Sequence, residues 1–459
     1  MTPTTTIAPG TFRDPQGRLF RDGDRILREV YTQYAPLALA WLRSPLAQRW
    51  IEQRRMVPTQ VLSAESGQAA LLEHERILFP SFPWEWTPGQ WVHAALLTLD
   101  LCEEALGEGV ILKDATPLNI VFSGSQPIFV DVLSFERRDP HSPLWTAYAQ
   151  YIRNFLLPLC AYVHLGWPLT ATIQRRDGYV PADLAPFLPL LRRWRSPFRS
   201  LVTLPLLLEK RAHGGVQRPQ VSEEMSAFAV RRLLRSTRKT LHSLTPSARK
   251  SRWSEYTKTA AHYQSSDHEA KQVFVRSALE SIRPARVLDV GANTGVYSRI
   301  AAESGADVVA WDTDVQAADL NWRIAQRQGL PILPLIANFA RPTPAVGWQN
   351  RESASLLDRA RGNFDCVLML GILHHLLVTD QIPLPAISEQ LWQITKRWAI
   401  IEWIPQEDCQ FVELCRGRQE LYSHLSEEYF VQTLSKRFAF RDRSQLPNGR
   451  TLWIVEAVL

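Results

Sequence analysis

What the chain lacks narrows it first. Its five cysteines are scattered, odd in number and never spaced as Cys-x-x-Cys. That excludes a disulfide framework and a thiolate metal knuckle, and it suits a reducing cytoplasm. No apolar run reaches spanning length. The most apolar stretch, Phe155 to Leu169, is interrupted by Pro158, His164 and Pro168, so it reads as a buried helix and no membrane partner is expected. The opening stretch, Met1 to Gly10, has no basic patch leading into an apolar core. It reads as a disordered lead-in rather than a secretory leader. There is no internal repeat and no Gly-Lys-Ser/Thr phosphate loop.

What is present is globular. Hydrophobic residues make up 45% and charged residues 21% of 459 positions. A chain of this length exceeds one typical core, so two domains are expected. The net charge of +6 owes much to a basic region from Arg192 to Arg252, which can serve as a solvated linker or helix face, or bind RNA or an anionic surface. No RNA-binding motif accompanies it.

The most informative stretch is Arg286-Val-Leu-Asp-Val-Gly-Ala-Asn-Thr-Gly295. An apolar, β-branched run ends in a Gly-containing turn, and Val296 to Glu303 then reads as a helix. Strand, tight loop and helix N-terminus together form a nucleotide-binding βα unit. Gly291 accepts backbone angles that a side chain forbids, and Gly295 lets the helix start close to the strand. The next strand, Asp307 to Asp312, ends in an acid about twenty residues after the glycines, where a carboxylate can accept both ribose hydroxyls. The third glycine of a dinucleotide fingerprint is absent, so a pyrophosphate is a poor fit.

These residues resemble motif I of the class I S-adenosylmethionine (SAM) methyltransferases, and the resemblance extends from Trp253 to Leu459. It implies that Asp289 and the loop through Gly291, Asn293 and Gly295 hold the methionine part of SAM, and that Asp312 holds the ribose. The family commonly has Gly where this chain has Asn293, and Asn also tolerates left-handed backbone. It often places an acid after the third strand, Ile332 to Asn338. Here Asn338 offers an amide oxygen to the adenine amino group. His374 and His375 follow the fourth strand and resemble the His-His-Leu motif of many small-molecule methyltransferases. Glu402 ends the fifth. Either histidine can remove a proton from an O or N nucleophile or serve to pack and orient, and Glu402 can orient the substrate or act as the base. Tyr263, ahead of the first strand, can stack on SAM or pack as an ordinary residue.

The N-terminal half carries a second constellation. Asp22-Gly23 marks a hairpin turn, Tyr34 to Arg54 has helical periodicity, and Leu71 to Trp86 reads as an irregular segment whose tryptophans need burial. A helix from Trp91 to Leu106 leads to Asp114, Asn119 and Asp131. Their order resembles the catalytic core of protein-kinase-like phosphotransferases, with Asp114 orienting a hydroxyl and Asn119 and Asp131 holding Mg²⁺. The family's loop histidine is Leu112 here, Val132-Leu133 replaces Phe-Gly, and no Gly-rich phosphate loop is found. Arg28 is the nearest cation in a candidate strand. Phosphotransfer and a degenerate scaffold or substrate platform both remain open.

The expected architecture is therefore α/β. A seven-stranded Rossmann-like SAM methyltransferase sheet spans residues 253–459. An α+β domain resembling a degenerate kinase-like fold spans 1–208, and a basic linker joins them over 209–252. The arrangement resembles bacterial fused methyltransferases of nodulation type. It implies a cytoplasmic enzyme that uses SAM to methylate a small-molecule or glycan-like acceptor. The alternatives are a bifunctional enzyme with an ATP-binding domain, or an RNA-directed methyltransferase.

Overall fold

The structure is a computed structural model that describes residues 6–7, 11–65, 67–209, 220–247 and 265–458. Tyr256, His262 and Tyr263 lie outside the described residues, as do 210–219 and 248–252 of the expected linker. The chain divides into two units. The first takes the described residues up to 247, without 123–126, together with 346–353. The second takes the remainder.

In the first unit, β1 (Thr6–Ile7), β2 (Gly17–Asp22), β3 (Arg25–Val30), β4 (Thr59–Ser63) and β5 (Ala70–His74) form an antiparallel sheet in the order β1-β2-β3-β5-β4. Asp22 pairs with Arg25 across a turn in which Gly23 takes φ +60°. The helical stretch predicted over Tyr34 to Arg54 is two helices, α1 (Ala35–Leu42) and α2 (Pro45–Glu52). Ser44 breaks them by capping α2 through Ala47 N, and Pro45 follows at the first helical position. β5 corrects the irregular reading of its segment. Ala70, Leu72 and His74 point inward at alternate positions, a period of two too short to stand out before the prolines.

α3 (Pro88–Ala105) starts earlier than predicted. Thr87 and Gln90 form a reciprocal capping box, with Pro88 beginning the first turn. The tryptophans are buried as density required: Trp86 and Trp91 meet edge to face, and Trp41 stacks on Phe135 with centroids 4.7 Å apart. β6 (Val110–Leu112) pairs with β9 (Phe135–Arg137), and β7 (Ile120–Ser123) with β8 (Gln126–Phe129). The basic run holds an ordered helix, α4 (Glu223–Ser243), where a broken linker was expected. Ser226, Val230, Leu234, Thr237 and Leu241 make a buried stripe at helical spacing, and Arg238 pairs with Asp100 and Glu103 of α3.

The second unit opens with α5 (Ser265–Ile282). Next come β10 (Arg286–Val290), α6 (Val296–Glu303), β11 (Asp307–Asp312), α7 (Val315–Gln328) and β12 (Ile332–Ile336). β13 (Phe364–Met369), α8 (Leu384–Ile394), β14 (Thr395–Trp403), α9 (Cys409–Cys415), α10 (Glu427–Leu434), β15 (Phe438–Gln445) and β16 (Thr451–Ala457) complete it. The seven strands run β12-β11-β10-β13-β14-β16-β15, with β16 antiparallel to both neighbours. This is the mixed Rossmann-like sheet expected from the sequence. Val287, Val308, Leu368 and Ile400 are buried with Val275 and Leu279 of α5 and Ile300 of α6. The alternate residues Leu288, Val309, Val367 and Ile401 are buried too, so both faces are covered and the strands read as continuous apolar runs.

Candidate functional site

The reversal of strand order at β10 and β13 places a crevice at the carboxyl ends of the parallel strands, where open α/β sheets bind ligands. Four of the expected residues meet in the first turn. Gly291 takes φ +74° and Gly295 φ +77°. A β-carbon on Gly295 would fall 2.0 Å from the Asn321 side chain on α7, so helix packing demands this glycine. Asn293 takes a left-handed φ of +50°, and its buried side-chain oxygen has no hydrogen-bond partner among the described residues. The Asn293 N–H donates to Asp312 Oδ2 at 2.6 Å, and Asp312 Oδ1 accepts from Asp314 N at 2.7 Å. Each carboxylate oxygen keeps a lone pair for a ligand hydroxyl. Burial, partly offset by these N–H donors, raises the Asp312 pKa.

Asp289 is almost fully buried at the end of β10 and accepts from Ser298 Oγ at 2.6 Å. Burial raises its pKa to about 6; the Ser298 hydroxyl opposes this and the Asp312 charge adds to it. No cation lies within ion-pair distance of it among the described residues. Half-buried Arg299 feels the Asp289 charge but donates to the Thr294 carbonyl at 2.8 Å, and the two buried cations of this unit are both taken. Lys271 of α5 donates to Glu402 Oε2 at 2.6 Å and lies 4.9 Å from the Tyr297 ring centroid. Arg450 Nε donates to Asp408 Oδ2 at 2.8 Å, and its Nη1 lies 3.6 Å from Glu402 Oε1.

The three base candidates are placed unequally. Glu402 is wholly buried between Lys271 and Arg450. His374 is buried, and desolvation drives its pKa well below the ordinary value, helped by His375 and Arg450. His375 is half-buried, its ring centroid 4.2 Å from that of His374. Its pKa is lowered by burial, with Asp380 opposing. Asn338 sits after β12, but its Oδ1 accepts from Ala340 N at 2.7 Å and Arg341 N at 2.9 Å. It shapes that turn. Lys271, Arg450 and Asp408 had no role in the sequence reading, because their partners are far away along the chain.

The first unit gathers its own polar cluster. Asp131 accepts from Arg28 Nη1 at 2.8 Å and from the Ser134 hydroxyl, and Arg28 Nη2 donates to Asp14 at 2.8 Å. Asn119 Nδ2 donates to Ser134 Oγ at 3.1 Å. Burial pushes the Asp131 pKa up, but Arg28 and Ser134 outweigh it and the net shift is down. Asp114 is raised, by burial and by the Asp131 charge. Among the described residues no group of three or more His, Cys, Asp or Glu side chains is arranged to hold a metal. In the basic run, Arg238 is engaged with α3, while Arg231, Arg232 and Arg235 are exposed. No described helix is long and apolar enough to cross a membrane.

No family model matches the chain. The nodulation protein NoeA of Rhizobium meliloti (strain 1021) is 28% identical over 468 aligned residues, covering 97% of this chain and 95% of NoeA. The nodulation-type resemblance read from the sequence thus runs the full length of the chain. Magnesium protoporphyrin IX methyltransferase (ChlM) from Synechocystis PCC 6803, solved with bound S-adenosyl-homocysteine (SAH), is 15% identical, with a TM-score of 0.32. That match covers 42% of this chain and 84% of ChlM. The N-methyltransferase NodS from Bradyrhizobium japonicum WM9, also solved with SAH, is 11% identical, with a TM-score of 0.31, over 42% of this chain and 88% of NodS.

Proposed function

We propose that this chain is a SAM-dependent methyltransferase acting on an O or N atom of a small-molecule or glycan-like acceptor. The observation that carries the reading is Asp289, a buried carboxylate with a raised pKa and no ion-pair partner, whose neighbour Lys271 is already held by Glu402. Such a group favours a cationic ligand. S-adenosyl-L-methionine is the cofactor, and when bound it supplies a methyl group on a sulfonium. Asp289 and the Asn293 oxygen receive its ammonium end, Asp312 receives the ribose hydroxyls, and the turn shaped by Asn338 borders the adenine.

Transfer is a displacement in which the protein positions the nucleophile and removes its proton. His375 is the base in this reading. It is more open than His374 or Glu402, and its lowered pKa keeps it neutral at pH 7. Glu402 is a positioning residue that holds Lys271 and Arg450 in place. The first unit is read as a kinase-like fold that recognises the acceptor. Arg28 there provides the countercharge for Asp131 that a metal would otherwise supply. Mg·ATP binding that disappears on Asp131→Ala would favour the bifunctional alternative.

The test is transfer of labelled methyl from SAM into a cell extract fractionated into small molecules, RNA and protein, with Asp289→Ala as control. Label in the small-molecule fraction, absent with the variant, is expected. Label in RNA or protein overturns the acceptor class. With an acceptor in hand, His375→Asn should lower kcat about a hundred- to ten-thousand-fold while SAM binding is kept. The acid limb of the wild-type pH profile should lie below pH 6.5, the ordinary histidine value.

A further inference from the structure

The stretch from Phe187 to Leu208 belongs to neither polar cluster. It contains Arg192, Arg193, Arg195 and Arg199 and not one Asp or Glu. One set of its apolar residues fastens it to the first unit: Leu188, Phe198, Leu201 and Val202 are buried. The short helix Leu190–Arg193 is tied to the following turn by Thr203 Oγ1, which donates to the Arg193 carbonyl at 2.6 Å. Arg193 in turn donates to the Leu188 carbonyl at 3.0 Å.

A second set is left in solvent. Leu190 is 75% exposed, Leu191 85%, Phe187 59% and Trp194 57%. Single exposed leucines are ordinary, but a group of large apolar side chains in one short fastened stretch marks a contact surface. The cations are interleaved with it. Arg192 lies over the Phe198 ring, 5.4 Å from its centroid, and Arg195 and Arg199 are exposed.

We propose that this surface docks the protein peripherally on an anionic lipid bilayer. Leucine and phenylalanine enter the acyl boundary, tryptophan sits at the headgroup level, and the arginines meet the phosphates while their stems stay in apolar surroundings. The absence of acids gives charge complementarity to anionic headgroups and sets two copies of the patch against each other. RNA would engage the arginines and the tryptophan but gain nothing from Leu190 and Leu191. The patch sits on the surface and crosses nothing. It departs from the expectation that no membrane takes part, which rested on the lack of a spanning segment.

The test uses the full chain in co-sedimentation with phosphatidylcholine vesicles, with and without phosphatidylglycerol. Because the altered side chains are exposed, Leu190→Ser with Leu191→Ser, and separately Arg195→Gln with Arg199→Gln, should leave the melting temperature in place. Wild type should bind the anionic vesicles, weaken with added salt, and lose about tenfold or more in partition with the leucine pair. The arginine pair should abolish the preference for anionic over neutral vesicles. Absence of sedimentation, or binding unchanged in both variants, overturns the proposal. So does binding of total RNA or polyglutamate in place of vesicles, or a dimer in sedimentation velocity that the leucine pair dissolves.

Discussion

Asp131 in the first unit is half-buried and Asp289 in the second almost fully buried, both beside a tight turn, and burial pushes both toward the protonated form. At Asp131 the fold supplies an answer. Arg28 reaches from β3, Ser134 donates, and the pKa ends below the ordinary carboxylate value. At Asp289 the Ser298 hydroxyl and N–H and the more distant Lys271 charge answer only in part, and the pKa stands at about 6. The difference does not come from a shortage of cations, since Lys271 and Arg450 are buried in the same unit. It comes from where they are spent: Glu402 and Asp408 hold them. A carboxylate paired within the fold is complete. One left unpaired among paired neighbours is poised for a cationic ligand.

Breaking the arrangement that keeps the cations from Asp289 should have the largest effect. Glu402→Gln leaves Lys271 buried without its partner, which should destabilise the second unit by roughly 3–5 kcal/mol. A denaturant titration checks this, and full stability with lost activity would instead make Glu402 the base. Asp289→Asn should weaken SAM binding by roughly 2–5 kcal/mol, the range for removing one partner of a buried charged pair. Calorimetry reads it, and Asp131→Asn should leave the same value unchanged.

Asp131→Asn acts on stability instead. It strands a half-buried Arg28 that retains Asp14, so a loss of about 2–3 kcal/mol is expected, below the full cost for a wholly buried pair. Urea unfolding followed by the fluorescence of the first unit's tryptophans measures it. The smallest effect is a divergence with pH. His74 is buried near Arg28 and its pKa is lowered to about 3, by burial first and then by that charge. Its stabilising contribution is complete above the unfolded value of about 6.5 and is lost as pH falls toward 3, by up to about 1.4 kcal/mol per unit. Asp289 has the opposite sign. Its raised pKa gives stability that is complete below about 3.8 and lost as pH rises through 6. Hydrogen exchange at pH 7 and pH 5 should therefore show β5 loosening on acidification and β10 tightening. His74→Gln should remove the first trend only.

The second unit was legible because its signals are local. The strand of β10, the left-handed positions at Gly291, Asn293 and Gly295, and the acid of Asp312 lie within one short stretch, and each states its own backbone requirement. The seven strands follow from apolar runs buried on both faces. The pairings that decide the chemistry were not legible. Lys271 with Glu402, Arg450 with Asp408 and Arg28 with Asp131 join residues far apart in the chain, and charge alone does not say which acid a cation will choose. α4 was hidden because four arginines and a lysine crowd the same stretch, and two of the five residues of its buried stripe, Ser226 and Thr237, are polar. Asn338 was placed correctly after its strand, but nothing in the sequence showed that its own turn would take up the amide oxygen.

The most direct measurement is the number of protons released when SAM binds at pH 6, obtained by calorimetric titration in two buffers of different ionisation heat. A buried Asp289 half-protonated at that pH should lose its proton to bulk as the cation arrives. Net release is expected that fades above pH 7.5 and is absent in Asp289→Asn. Proton uptake, release that persists in the variant, or no saturable binding would contradict it.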